Sequence, residues 1–226
     1  MCLAWAGIEY DGRWKVLHYI AKDIYQNVII TPFHNLTTGG LEVWVTSDLW
    51  SAAKGTATIE WYNWAGAKLN VSTPNSIEFK VGAINSTLIL QTNTKDILLE
   101  YDPKDIVLYL SITANGYLPN NSTLQDFKHK QYLSPVPLSQ ANLVDPGLEY
   151  SYDEERGVWT VEATKGIAAW VWFDYPSGLV GRFEDNAFWL RPGFKREVEF
   201  TVQSGGDGEG WVGDVTAESL WDMTQP

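Results

Sequence analysis

Cysteine is nearly absent from this 226-residue chain: Cys2 stands alone. No intrachain disulfide can form, and no zinc site can be built from thiolates. Histidine is scarce as well. His18, His34 and His129 are widely spaced and show no metal-ligand pattern, so no metal and no cofactor are expected. Basic residues are few, 16 Lys plus Arg against 28 Asp plus Glu, for a formal net charge of −12. A polyanion would be repelled, which argues against nucleic acid and anionic membrane as partners. Long apolar runs are missing. The longest, Ile167 to Phe173, falls far short of the roughly 20 residues a membrane helix needs. The opening MCLAWAGIEY has neither a basic n-region nor a long apolar h-region, so it does not read as a signal peptide. No G-x-S-x-G, phosphate loop or Rossmann fingerprint occurs. The glycine-rich SGGDGEG follows a strand with no helix after it and reads as a loop.

What is present is hydrophobic and aromatic. Hydrophobic residues make up 45% and charged residues 19%, enough apolar material for a core and too little charge for wholesale disorder. The length fits one large domain or two of ordinary size. Twelve Trp and eleven Tyr are many for this length. Sandwich cores, domain interfaces and sugar-stacking platforms all use such residues, and composition leaves the three open.

Periodicity divides the chain. In EYDGRWKVLHYIAKDIYQ, Trp14, Leu17, Ile20, Ala21 and Ile24 recur at three- and four-residue spacing. This predicts an amphipathic helix over about 11–26, with Asp11 as N-cap and Asn27 ending it. From Leu41 the period becomes two. LEVWVTS, TATIEWYNW, SIEFKVG, STLILQT and DIVLYLSIT read as short strands separated by Gly, Pro and Asn turns. A joint at LSPVPLSQAN is followed by a second set, among them VWTVEAT, AAWVWFDYP, LVGRFEDN and KREVEFTVQ. The fold class is therefore mainly β: two immunoglobulin-like β-sandwich domains in tandem, 31–137 and 141–226, after one helix within 1–30.

Candidate chemistry is thin. A glycosidase needs two carboxyl groups facing each other across a cleft. Asp153, Glu154 and Glu155 read as a solvated hairpin turn, Glu184 to Asn186 as a loop, and Glu197 and Glu199 as the outer face of a strand. No catalytic residue is assigned. Trp61, Trp64, Trp170, Trp172 and Trp189 are open to two readings, core or sugar platform; Trp170 and Trp172 are expected to share one strand face. N-glycosylation sequons occur at Asn35, Asn70, Asn85, Asn120 and Asn121, which point to a secretory, extracellular route.

Several blocks together resemble one family. WAGIEYDGRWKVLHYIAKDIY is similar to the end of the catalytic barrel in β-mannosidases of glycoside hydrolase family 2, where a W-S-S-x-E-Y-G-G-R-W-K-x-L-H-Y stretch leads into the eighth barrel helix. VTSDLW with GTATIEWYNWAG resembles the next Ig-like domain of that family. AAWVWFDYPSGLVGRFEDNAFWL and VTAESLWD resemble its C-terminal Ig-like domain. The match covers nearly the whole chain, keeps the order of the parts and is most similar to fungal members. MCLA departs from the pattern where the last barrel strand belongs.

The resemblance implies that residues 1–30 are a remnant of a (β/α)8 barrel. It implies that the whole enzyme removes terminal non-reducing β-D-mannose. The two catalytic Glu residues of the family come from earlier barrel strands, so this chain is expected to be non-catalytic and to support the barrel. The partners implied are the missing barrel and, through it, β-mannosides. Trp5, in the loop before the helix, is the position the resemblance sets near the sugar. The alternative is a standalone carbohydrate-binding module. A barrel helix without its barrel is expected to fold back onto the first sandwich or to fray.

Overall fold

A computed structural model describes residues 6–119, 123–206 and 210–225. Trp5, Asn120, Asn121 and residues 207–209 of the glycine-rich segment lie outside the described residues. The chain forms two compact units. One is 25–143; the other joins the N-terminal segment, up to Ile24, to 144–226. The boundary between the two units falls within the segment 1–30, between Ile24 and Tyr25.

The helix, α1, covers Val16–Ile24 and starts later than the sequence predicts. The cause is local. Gly12 adopts φ +93°, the left-handed region, and cannot sit in a right-handed helix. Residues 7–15 instead make a tight hairpin, with Ile8 bridged to Trp14 and the Glu9 N–H donating to the Arg13 carbonyl at 2.8 Å. Asp11 caps that turn, accepting from the Arg13 N–H at 3.1 Å.

Unit 25–143 is a sandwich of two antiparallel sheets. Its strands are β1 (Val28–His34), β2 (Gly40–Ser47), β3 (Ala53–Asn63), β4 (Ser76–Val81), β5 (Asn85–Asn93), β6 (Ile106–Tyr117) and β7 (Leu124–Leu133). A one-turn helix, α2 (Thr94–Ile97), follows β5. The sheet orders are β1-β2-β5 and β4-β3-β6-β7. Strand β2 alternates strictly, with Leu41, Val43 and Val45 fully buried. They meet Ile59, Trp61, Leu108 and Leu110 from the facing sheet in one core. The buried His129 Nδ1 accepts from the Ile30 N–H at 3.1 Å, tying β7 to β1.

The second unit carries β8 (Leu148–Asp153), β9 (Val158–Ala163), β10 (Ala168–Asp174), β11 (Val180–Phe183), β12 (Phe188–Leu190), β13 (Lys195–Ser204) and β14 (Thr216–Glu218). They form sheets of order β12-β10-β14 and β11-β13-β9-β8. A last helical turn, α3 (Leu220–Met223), is opened by a capping box between Ser219 and Asp222. Phe173 and Phe183 are fully buried with ring centroids 5.0 Å apart. The core around them holds Val161, Val171, Leu190 and Val198.

One polar side chain is built into this core. Asn186 is buried; its Oδ1 accepts from the Phe173 N–H and its Nδ2 donates to the Phe173 carbonyl, both at 2.8 Å. A side-chain amide thus replaces a strand neighbour for that residue of β10, satisfying two backbone groups that water cannot reach.

Candidate functional site

The most elaborated surface is the face of the second unit on which α1 lies. It is built from the hairpin 7–15, α1, the end of β10, β11 and the loop after β11. Arg13 leaves the hairpin and reaches the end of β10. Its guanidinium pairs with the Asp174 carboxylate, donates to the Tyr175 carbonyl at 2.9 Å and stacks 3.9 Å over the Tyr175 ring. Tyr175 is fixed in turn, donating its Oη to the Gly181 carbonyl at 2.7 Å.

Tyr19 is the one buried residue of α1, 6% exposed. Its Oη donates to the Phe183 carbonyl at 3.1 Å, and its ring meets Trp172 edge-on, with centroids 5.8 Å apart. Burial, and then the proximity of Tyr175 and Asp185, push the Tyr19 phenol well above its ordinary value, so it stays neutral and donates. Trp14 packs 5.4 Å from Tyr19 and lies under the Arg182 guanidinium, 5.0 Å from the ring centroid. One turn on, Lys22 Nζ donates to the Glu184 carbonyl at 2.7 Å.

The contact face of α1 is thus Tyr19 and Lys22, extended by Trp14 and Arg13. Of the apolar stripe seen in the sequence, Trp14 precedes the helix and joins this contact face, whereas Leu17, Ile20 and Ile24 are turned the other way. On a 3.6-residue wheel Val16, Ile20, Ile24 and Leu17 form one arc that excludes Tyr19 and Lys22. Leu17 is 52% and Ile24 47% exposed. The sequence leads one to expect a helix that folds back onto the first sandwich or frays; in the structure it is clamped to the second one. Hydrogen bonds to three sandwich carbonyls and an aromatic pair hold it, signals that hydrophobic periodicity does not register.

The tryptophans part company. Trp61 and Trp64 are core, 1% and 2% exposed, and Trp64 Nε1 donates to the Lys104 carbonyl at 2.9 Å. Trp170 and Trp172 do not make one platform. The β10–β12 register shifts between Ala168 and Val171, and Trp170, at φ +54°, sits in that irregularity. Trp170 meets Trp189, rings tilted by 59°, whereas Trp172 meets Tyr19.

Three of the carboxylates singled out in the sequence, Glu197, Asp153 and Asp185, are engaged structurally. Glu197 makes a two-pronged pair with Arg156 at 2.8 and 2.7 Å. That pairing holds its carboxyl below the usual range. Asp153 accepts from the Glu155 and Arg156 N–H groups of its turn. Asp185 pairs with Arg196. No group of three or more His, Cys, Asp or Glu fit to hold a metal occurs among the described residues. Asn35, Asn70 and Asn85 are all exposed.

Comparison with known proteins covers both units. Residues 39–129 match a Mannosidase Ig/CBM-like domain and residues 143–223 an Ig-fold domain. "Beta-mannosidase A" of Aspergillus flavus is 48% identical over 223 residues, 98% of this chain and 24% of that protein. Its namesake from Neosartorya fischeri is 50% identical over 221 residues, with 97% and 24% covered. The chain thus spans about a quarter of the length of the curated relatives it matches. A crystal structure of a β-D-mannosidase from Dictyoglomus thermophilum aligns over 96% of this chain and 24% of that one. Its TM-score is 0.66 at 16% identity, a likeness of fold.

Proposed function

The chain belongs to the β-mannosidases as one of their C-terminal Ig-like portions, and from that premise we propose that it buttresses a catalytic barrel carried elsewhere in the same enzyme. The whole enzyme would hydrolyse terminal non-reducing β-D-mannose with two glutamates outside this segment. This chain alone would have no hydrolase activity.

One observation carries the reading. Helix α1 is clamped on one side by Arg13, Tyr19 and Lys22 and exposes Val16, Leu17 and Ile24 on the other. Burying each such side chain contributes roughly 1.5–3 kcal/mol, so this side is made to be covered. Relatives four times as long have the further chain such a cover needs, and here it would be the rest of the barrel, to which α1 would contribute its last helix. The second unit then holds that helix in place. An assay of the purified chain on an aryl β-mannoside tests the non-catalytic role. Turnover abolished by one Glu or Asp substitution would overturn it.

The route through the secretory pathway rests on the five sequons, of which Asn35, Asn70 and Asn85 stand exposed. No described helix is long and apolar enough to cross a membrane. The carbohydrate-binding alternative needs exposed, coplanar aromatics. Buried Trp61 and Trp64, the Tyr19-covered Trp172 and the tilted Trp170–Trp189 pair do not favour it.

A further inference from the structure

We propose that Phe33 is the docking platform for an N-linked glycan on Asn35, so that the first N-acetylglucosamine packs on the Phe33 ring and stabilises the β1–β2 hairpin. The inference rests on the secretory reading above.

Phe33 is unexplained by the fold. It lies on β1 opposite Glu42, is 60% exposed, and belongs to the outward-facing set of a strand whose Val28 and Ile30 are fully buried. Asn35 follows two residues later, just past the end of β1. Phe33 and Asn35 line one groove together with Thr38, Glu42 and Gln91. An aromatic face packs against the C–H face of a pyranose, and the rim of polar side chains suits the sugar's hydroxyl and acetamido groups. Lys68 and Ala83 stand at the corresponding place before Asn70 and Asn85, so the aromatic is particular to Asn35 among these three.

The turn itself is preformed. Asn35 Oδ1 accepts from the Thr37 and Thr38 N–H groups at 3.0 and 3.1 Å; neither bond uses Nδ2, the atom that carries a glycan. Gly39, at φ +81°, closes the turn by donating to the Asn35 carbonyl at 2.7 Å. From the neighbouring β5–α2 corner Asn93 Nδ2 donates to the Thr38 carbonyl at 3.1 Å. A sugar fixed to such a turn loses little further freedom on meeting Phe33.

The test is a thermal cycle on the full chain, secreted from a yeast host behind that host's leader. Wild type, Phe33→Ala, Thr37→Ala and the double variant are compared, with sequon occupancy read by glycopeptide mass spectrometry. Thr37→Ala abolishes the sequon, whereas the turn's bonds run through the Thr37 backbone. Asn35 is expected to be occupied. Phe33→Ala should lower the Tm by about 2–5 °C more in the glycosylated background than in the Thr37→Ala background. Phe33→Tyr should behave as wild type, and trimming the glycan to one N-acetylglucosamine should leave the excess loss intact. Equal losses in both backgrounds would overturn the platform. Occupancy of Asn70 or Asn85 without Asn35 would overturn it while leaving the secretory reading standing. An unoccupied set of sequons would overturn both.

Discussion

Tyr19 donates its phenolic hydrogen to the backbone carbonyl of Phe183, 3.1 Å away and 164 residues on in sequence. This bond joins a helix at one end of the chain to a strand near the other. It explains why the N-terminal segment and residues 144–226 behave as one compact unit. A buried phenol at this position supplies area, an edge-on ring contact to Trp172 and a partner for a carbonyl that would otherwise lose water.

Replacing Tyr19 separates these contributions. Tyr19→Phe keeps the ring and removes the bond, and should destabilise the helix-bearing unit by about 1 kcal/mol. Tyr19→Ala removes the ring too and should cost roughly 3–5 kcal/mol. Equilibrium denaturation, followed by near-ultraviolet circular dichroism, reads both.

Alkali should act through the same residue. Burial raises the folded pKa of Tyr19 above its unfolded value of about 10, so the folded state holds this proton longer. Its contribution is complete below about pH 10 and is lost as pH rises further through the folded value. Stability measured between pH 8 and pH 12 should therefore fall above pH 10. The Tyr19→Phe variant should fall less steeply over the same span.

The outer side of α1 should behave oppositely in short and long chains. Leu17→Asp and Ile24→Asp lie on exposed positions here and should change the stability of the 226-residue chain by less than about 1 kcal/mol. In a full-length enzyme containing this segment the same changes would bury a charge against the barrel and should cost several kcal/mol and activity with it. Parallel melts of the two forms give the comparison.

Asn186 should be irreplaceable by its nearest relatives. Asn186→Ala leaves the N–H and carbonyl of Phe173 buried without partners and should cost roughly 2–4 kcal/mol. Asn186→Asp keeps an acceptor for the N–H but sets a carboxylate against the carbonyl. It should be no milder at pH 7 and should recover in part in acid, where a protonated carboxyl can donate.

Much of the fold is legible in the sequence because it depends on alternation. Leu41, Val43 and Val45 declare a half-buried strand, and Gly39 with Gly40 marks its start. The failures have specific causes. The helix start is not legible because Asp11 is as good a turn residue as an N-cap, and only φ at Gly12 decides between them. The docked face of α1 is invisible to periodicity because it is held by Tyr, Lys and Arg side chains reaching backbone carbonyls, while Leu17, Ile20 and Ile24 mark the outer side. The two-residue spacing pairs Trp170 with Trp172 because a register shift in β10 leaves no trace in it. Asn186 reads as loop polarity, although it is a core residue bonded 13 positions back.

The most direct measurement is the size of the native protein. An antibody raised to this chain would be used to blot cell extract and culture medium of the source organism after enzymatic deglycosylation. The chain has a mass of 25.5 kDa and 24% of its relatives' length, so a band about four times larger is predicted, with β-mannosidase activity co-migrating. A band near 25.5 kDa alone would contradict the assignment of this chain as the buttress of a larger enzyme.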